Sequence, residues 1–169
     1  MEHELIYEQM SLNAERIASL ARGISDEHGR WKPDPASWSI LEVVNHLYDE
    51  EVEDFRAPLG VVLEHPEQDF PPIDPEGWVA ARAYNGRELA ESLMGFLTER
   101  AVSLRWLRSR TAPNWDAAKG PPPSAIRAGD LLGAWAMHDL LHLRQLVELH
   151  RAWLLQSVEP FETGYAGGW

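Results

Sequence analysis

The strongest constraint on this chain is the stretch from Asp130 to Trp153, in which Leu131, Trp135, His138, His142, Leu146, Leu149 and Trp153 recur at helical spacing. At about 100° per residue these side chains share one side of a helix, so two imidazoles sit in the middle of an apolar stripe. A stripe of this kind has to be buried against other elements, and histidines buried with it need partners. An i, i+4 pair brings Cβ atoms within about 5 to 6 Å, close enough for both rings to meet one ion at bonds of about 2.0 to 2.1 Å. Two ligands do not make a site. A bare H-x-x-x-H is more often two buried, hydrogen-bonded histidines, so a third ligand has to come from elsewhere in the chain.

Other segments repeat the helical pattern. Ile6, Met10, Asn13, Ile17 and Leu20 define an amphipathic helix over about 3–22, closed by Gly23 as a C′ residue. Ser39 and Glu42 have the capping-box spacing, and Trp38 before them can staple onto Val43, so a second helix starts near Ile40. Ile40, Val43, Val44, Leu47, Glu51 and Phe55 make its inward face. His46 lies at the edge of that face, with Glu50 and Glu53 below it at i+4 and i+7, which makes it a candidate third ligand. Pro58 is expected to end or kink this helix near Arg56. Leu89, Leu93, Phe96, Arg100, Leu104 and Leu107 carry a third helix to about Arg110. The fourth is the central one, expected to be capped by Asp130 and to run to about Ser157.

The intervening stretches read as polar connections. These are Ser25 to Pro35, the proline-rich Glu64 to Pro75, and Pro113 to Gly129, in which Trp115 has no assigned role. His28 and His65 lie in such segments and are expected to be solvated. No alternating strand pattern and no repeat of 20 to 50 residues occurs. The expectation is an all-α four-helix bundle over 1–157, followed by a Gly-rich, aromatic tail over 158–169 that either packs back or stays loose.

Composition narrows the chemistry. A chain of 169 residues is long enough for one domain that buries roughly 70% of its unfolded surface. It has no cysteine, so any metal must use His, carboxylate or water, and the absence fits a reducing compartment. There is no charged-then-apolar leader and no apolar run of the ~20 residues a membrane span needs, so the expected location is the cytoplasm. A formal net charge of −12 argues against nucleic acid and anionic membranes as partners.

Taken together, Trp38-Ser39-Ile40, Glu42-Val43-Val44-Asn45-His46-Leu47 and the later His138-Asp139-Leu140-Leu141-His142-Leu143-Arg144-Gln145-Leu146 resemble the DinB/YfiT-like metalloenzyme superfamily. The likeness in order and helical context runs from the first helix to Trp153. The resemblance implies an up-down-down-up bundle, often dimeric, with one divalent ion held by His46, His138 and His142. It also implies transfers or isomerisations that depend on low-molecular-weight thiols, and a family association with damage induction.

Three neutral imidazoles leave at least one position on an ion open, as in catalytic sites. With zinc or nickel, the expected metals, a bound water is acidified and a bound thiol deprotonated. Glu50, Glu53 and Asp139 are the carboxylates placed to orient a ligand or accept a proton, and each is equally well read as rim solvation. Gln145 matches a family position without a derivable role. Residue 139 is Asp, which departs from the H-E-x-x-H of zincin proteases. No Glu-x-x-His occurs, which removes a ferritin-like di-iron centre. His150 points about 80° away from His142. No Gly-rich phosphate loop or G-x-S-x-G elbow is present. Three readings follow: a metal-dependent, thiol-dependent transferase or isomerase acting on a small molecule, a metal-dependent hydrolase, and a non-catalytic metal-binding stress protein.

Overall fold

The computed structural model describes residues 2–169. Helix α1 (His3–Ala21) ends where Gly23 takes a positive φ of 76°, the left-handed C′ geometry expected of it. After the short α2 (Asp26–Arg30), α3 (Ile40–Glu50) opens on the expected capping box. Glu42 donates its backbone N–H to Ser39 Oγ at 3.1 Å, and Ser39 N–H is accepted by the Glu42 carboxylate at 2.8 Å. A cap of this kind contributes about 1 kcal/mol and fixes where the helix begins.

Pro58 does not end this helix. The chain passes from α3 into a π-helical segment (Glu51–Arg56) and on into α4 (Ala57–Glu64). A proline inside an α-helix leaves its i−4 carbonyl without a donor and crowds it; here the preceding turn is widened, with Ala57 N–H reaching back five residues to Val52 O. The segment Ser25 to Pro35, expected as a plain connection, contains the short helix α2, and a further short helix, α5 (Pro75–Ala81), follows the proline-rich stretch. A minimal antiparallel ladder of β1 (Ala118–Lys119) and β2 (Ile126–Arg127), absent from the sequence-based expectation, closes the loop before the last helix. Helix α6 spans Leu89–Arg108 and α7 spans Ala128–Val158. Asp130 is therefore not the N-cap of α7. Arg127 holds that position, and Asp130, at N3, accepts Arg127 N–H at 3.1 Å. Beyond α7, the Trp169 ring lies 4.9 Å from the guanidinium of Arg151 on that helix, and Phe161, Tyr165 and Trp169 are all exposed.

The long helices form an up-down-down-up four-helix bundle. Helices α1 and α7 run side by side in the same direction, as do α3 and α6, and α1 opposes α6. Each neighbouring pair buries one apolar stripe. Around Ile17, Val44, Phe96 and Leu146 lies one apolar cluster, and around Met10, Leu59, Leu107 and Trp135 another. Between them each helix contributes one polar residue: Asn13, Glu51, Arg100 and Asp139, all buried. Among the described residues no helix is long and apolar enough to cross a membrane.

Helix α7 is turned slightly from its expected orientation. Leu132 rather than Leu131 is buried, and Asp139 is fully enclosed, while His138 is left partly exposed at the rim. Arg100 supplies the reason. Its guanidinium donates to both Asp139 oxygens at 2.7 Å, drawing that side chain inward. His28, expected to be solvated, is packed instead: its ring stacks on Trp153 at 4.6 Å and meets His150 edge-on at 4.8 Å. Burial first, and then His150, lowers its pKa. His65 stays exposed.

Candidate metal centre

The capping box sets the register of α3, and that register turns His46 towards α7. The H-x-x-x-H of α7 presents two rings to it. His142 Nε2 lies 3.0 Å from His138 Nε2, and His46 Nε2 lies 3.3 Å from the same atom. One ligand nitrogen from each of the three rings falls within 4.8 Å of the others. Tetrahedral bonds of about 2.0 to 2.1 Å require ligand nitrogens about 3.3 Å apart, so the spacing fits one small divalent ion.

Protonation fits as well. His142 donates Nδ1–H to Gln145 Oε1 at 2.7 Å, which leaves the lone pair on Nε2, facing the other two rings. The Nδ1 of His46 is buried without a hydrogen-bond partner. Burial, reinforced by the His142 and His138 rings, pushes the His46 pKa down to about 2. Burial and His138 push that of His142 down to about 4 against the opposing Gln145 contact. Both rings are thus neutral at physiological pH, the form that ligates.

Of the three carboxylates singled out in the sequence, the structure brings one to the rings. Glu50 is buried and spans two of them, with Oε2 2.9 Å from His138 Nε2 and Oε1 3.4 Å from His46 Nε2. Glu53 faces α5 and pairs with Arg82 through contacts of 2.6 and 3.0 Å. Asp139 is held by Arg100 and receives a further long contact of 3.5 Å from Asn13. Both lie in ion pairs of their own.

Three further residues shape the site. The Trp38 ring lies 4.7 Å from that of His46 and 6.4 Å from that of His142, to which it is parallel, so it covers the two buried imidazoles. Its position before the capping box suggested only a staple; its role as a cover depends on α7. Phe55 packs on His138 from the other side, at 5.1 Å between centroids. Asp54, half-buried on the π segment, has its pKa raised to about 6 by burial and by Glu50, with His138 opposing. Its signal in the sequence was only membership of an acidic run. A cleft of about 490 Å³ runs along the outer side of His142, with Trp38, Gln145 and Leu149 in its walls. His138 is the most open of the three rings, with 18% of its side chain accessible against 5% for His46.

Residues 9–146 match a family model described as the DinB superfamily. Among solved structures, YfiT from Bacillus subtilis is similar, with a TM-score of 0.77 and 17% sequence identity over 88% of this chain and 85% of that one. YfiT is described as a probable metal-dependent hydrolase with an unusual four-helix bundle topology. No curated protein matches the sequence.

Proposed function

This chain belongs to the DinB superfamily, and on that premise we propose that it is a metal-dependent hydrolase of a small molecule, with His46, His138 and His142 as metal ligands and Glu50 as general base. The observation that carries this reading is the Glu50 carboxylate, 2.9 Å from His138 Nε2 and beside the point where the three nitrogens converge. Hydrolysis needs a proton acceptor at that place, and Glu50 is the acidic residue that reaches it. The description of YfiT as a probable hydrolase supports the same class. One zinc or nickel ion per chain is the proposed cofactor, supplying Lewis acidity that polarises a carbonyl or acidifies a bound water or thiol.

The protein's own residues divide the remaining work. Gln145 holds His142 in the ligating tautomer. Trp38 closes the side of His46 and His142, so a substrate approaches past His138, where Glu50 can take a proton and return it to a leaving group. The second reading, thiol-dependent transfer or isomerisation, uses the same three nitrogens. In a chain without cysteine its sulfur nucleophile would be an external low-molecular-weight thiol.

The test is to load the protein with zinc, nickel or cobalt and assay ester and amide substrates with and without small thiols. The expected result is metal-dependent turnover without thiol, with Glu50→Gln keeping its metal and losing about 10²- to 10⁴-fold in kcat. Turnover only when thiol is added, with a sulfur-to-cobalt charge-transfer band, replaces hydrolysis by transfer. Metal binding without turnover of any substrate assigns a non-catalytic role.

A further inference from the structure

The polar layer between the two apolar clusters has no part in the proposed chemistry, yet it touches all four helices of the bundle. Arg100 is at its centre. The guanidinium donates Nη1–H and Nη2–H to the two oxygens of Asp139, each at 2.7 Å, and Nε–H to Glu51 at 2.9 and 3.0 Å. It also donates to Met10 O at 2.8 Å, and Trp135 Nε1–H donates to Glu51 at 3.0 Å. Arg100, Glu51 and Asp139 are each no more than 2% exposed.

Buried ions of this kind are a poor source of stability, since desolvation offsets much of their attraction and well-packed apolar side chains of similar volume often serve as well. What a buried bidentate fork does provide is geometry. The guanidinium is planar and its donors are fixed in angle, so it sets both the distance and the rotation of the two carboxylates it holds. Those carboxylates are immediate chain neighbours of the metal centre: Asp139 follows His138 on α7, and Glu51 follows Glu50 at the end of α3. If α7 rotated about its axis, Asp139 would leave the fork and His138 would swing away from Glu50 together.

We propose that Arg100 is a positioning residue for the metal centre, a clamp on α6 that locks the rotation of α7 against the α3–π junction and so keeps the His138 and His142 rings converged on His46, with His138 beside Glu50. The inference rests on the reading of the three histidines as metal ligands. Arg100 touches none of them and acts through Asp139 and Glu51.

The test uses Arg100→Lys, which keeps the charge and loses the fork, and the triple variant Arg100→Met/Glu51→Gln/Asp139→Asn, which removes the ions and keeps the volume. Arg56→Gln is the control, because it breaks an ion pair of 2.6 Å with Glu99 between the π segment and α6, outside the polar layer. Readouts are helical circular dichroism, cobalt(II) and zinc affinity, and the cobalt d–d spectrum. Both layer variants are expected to remain helical, bind cobalt at least tenfold more weakly, and show a changed d–d band, while Arg56→Gln leaves affinity and band as in the wild type. Folded layer variants with wild-type affinity and spectrum overturn the proposal. So does a control that shifts the band equally, or the unfolding of both layer variants, which makes the network a purely structural clamp. A wild-type protein that takes up no cobalt or zinc refutes the metal-site reading itself.

Discussion

Gln145 lies three residues beyond His142 on α7, and its side-chain oxygen accepts the His142 Nδ1–H at 2.7 Å. That contact decides which nitrogen carries the proton and therefore which can ligate. Gln145→Leu removes the acceptor and retains the bulk, so zinc affinity is expected to fall about 10- to 100-fold with the helical content unchanged. Competition against a chromophoric chelator measures it. Equal affinity in the two proteins would show that the hydrogen bond does not set the tautomer.

Asp54 provides a pH dependence with a definite sign. Burial, followed by the neighbouring Glu50, raises its pKa to about 6, so in the metal-free folded chain it holds its proton more tightly than in the unfolded one. From the ordinary carboxylate range up to about pH 6 the folded state binds the extra proton, and stability from this group is lost as pH rises through that window. Asp54→Asn is therefore expected to stabilise the metal-free protein at pH 7, by about 1 kcal/mol once its partial exposure is allowed for. Thermal melts at pH 7 and below pH 4 check it, and the gain should vanish at the lower pH. A destabilised variant at pH 7 would contradict the assignment.

The family's association with damage induction invites a test for DNA binding, and none is expected. The formal net charge is −12, and several arginines are already paired with carboxylates: Arg56 with Glu99, Arg82 with Asp49 and Glu53, and Arg110 with Glu64, while Arg100 is buried and Arg105 and Arg108 stay exposed. Neutralisation of phosphates by cations is the main source of non-specific affinity, and on a chain with 15 basic against 27 acidic residues the few unpaired arginines are outweighed by repulsion. Anisotropy with labelled duplex and single-stranded DNA at low salt should show no change at micromolar protein. Binding that weakens as salt is added would overturn this expectation.

Local periodicity carried most of the architecture. The inward positions of α1 and α6, the Ser39–Glu42 capping box, the glycine after α1 and the H-x-x-x-H of α7 are each properties of a few consecutive residues, set by the helical repeat and by the hydrogen bonds that helix ends require. Two histidines in an apolar stripe and a third at the edge of another are candidates from the pattern, and the resemblance to the DinB superfamily joins them into one ligand set. Their convergence to 3.0 and 3.3 Å is a property of the packed bundle.

Tertiary structure alone decided which of the nearby carboxylates lies against the histidine rings. Glu50, Glu53 and Asp139 look alike in sequence, each within about two turns of a histidine, yet Arg82 takes Glu53, Arg100 takes Asp139, and Glu50 is left to the rings. The same holds for the rotation of α7, for Trp38 as a cover, and for His28 packed against His150 and Trp153. In every case the deciding partner is far away along the chain. A helical repeat specifies which residues face inward to within a residue or so, but a buried charge goes where its counter-charge is, and that position exists only once the helices have packed.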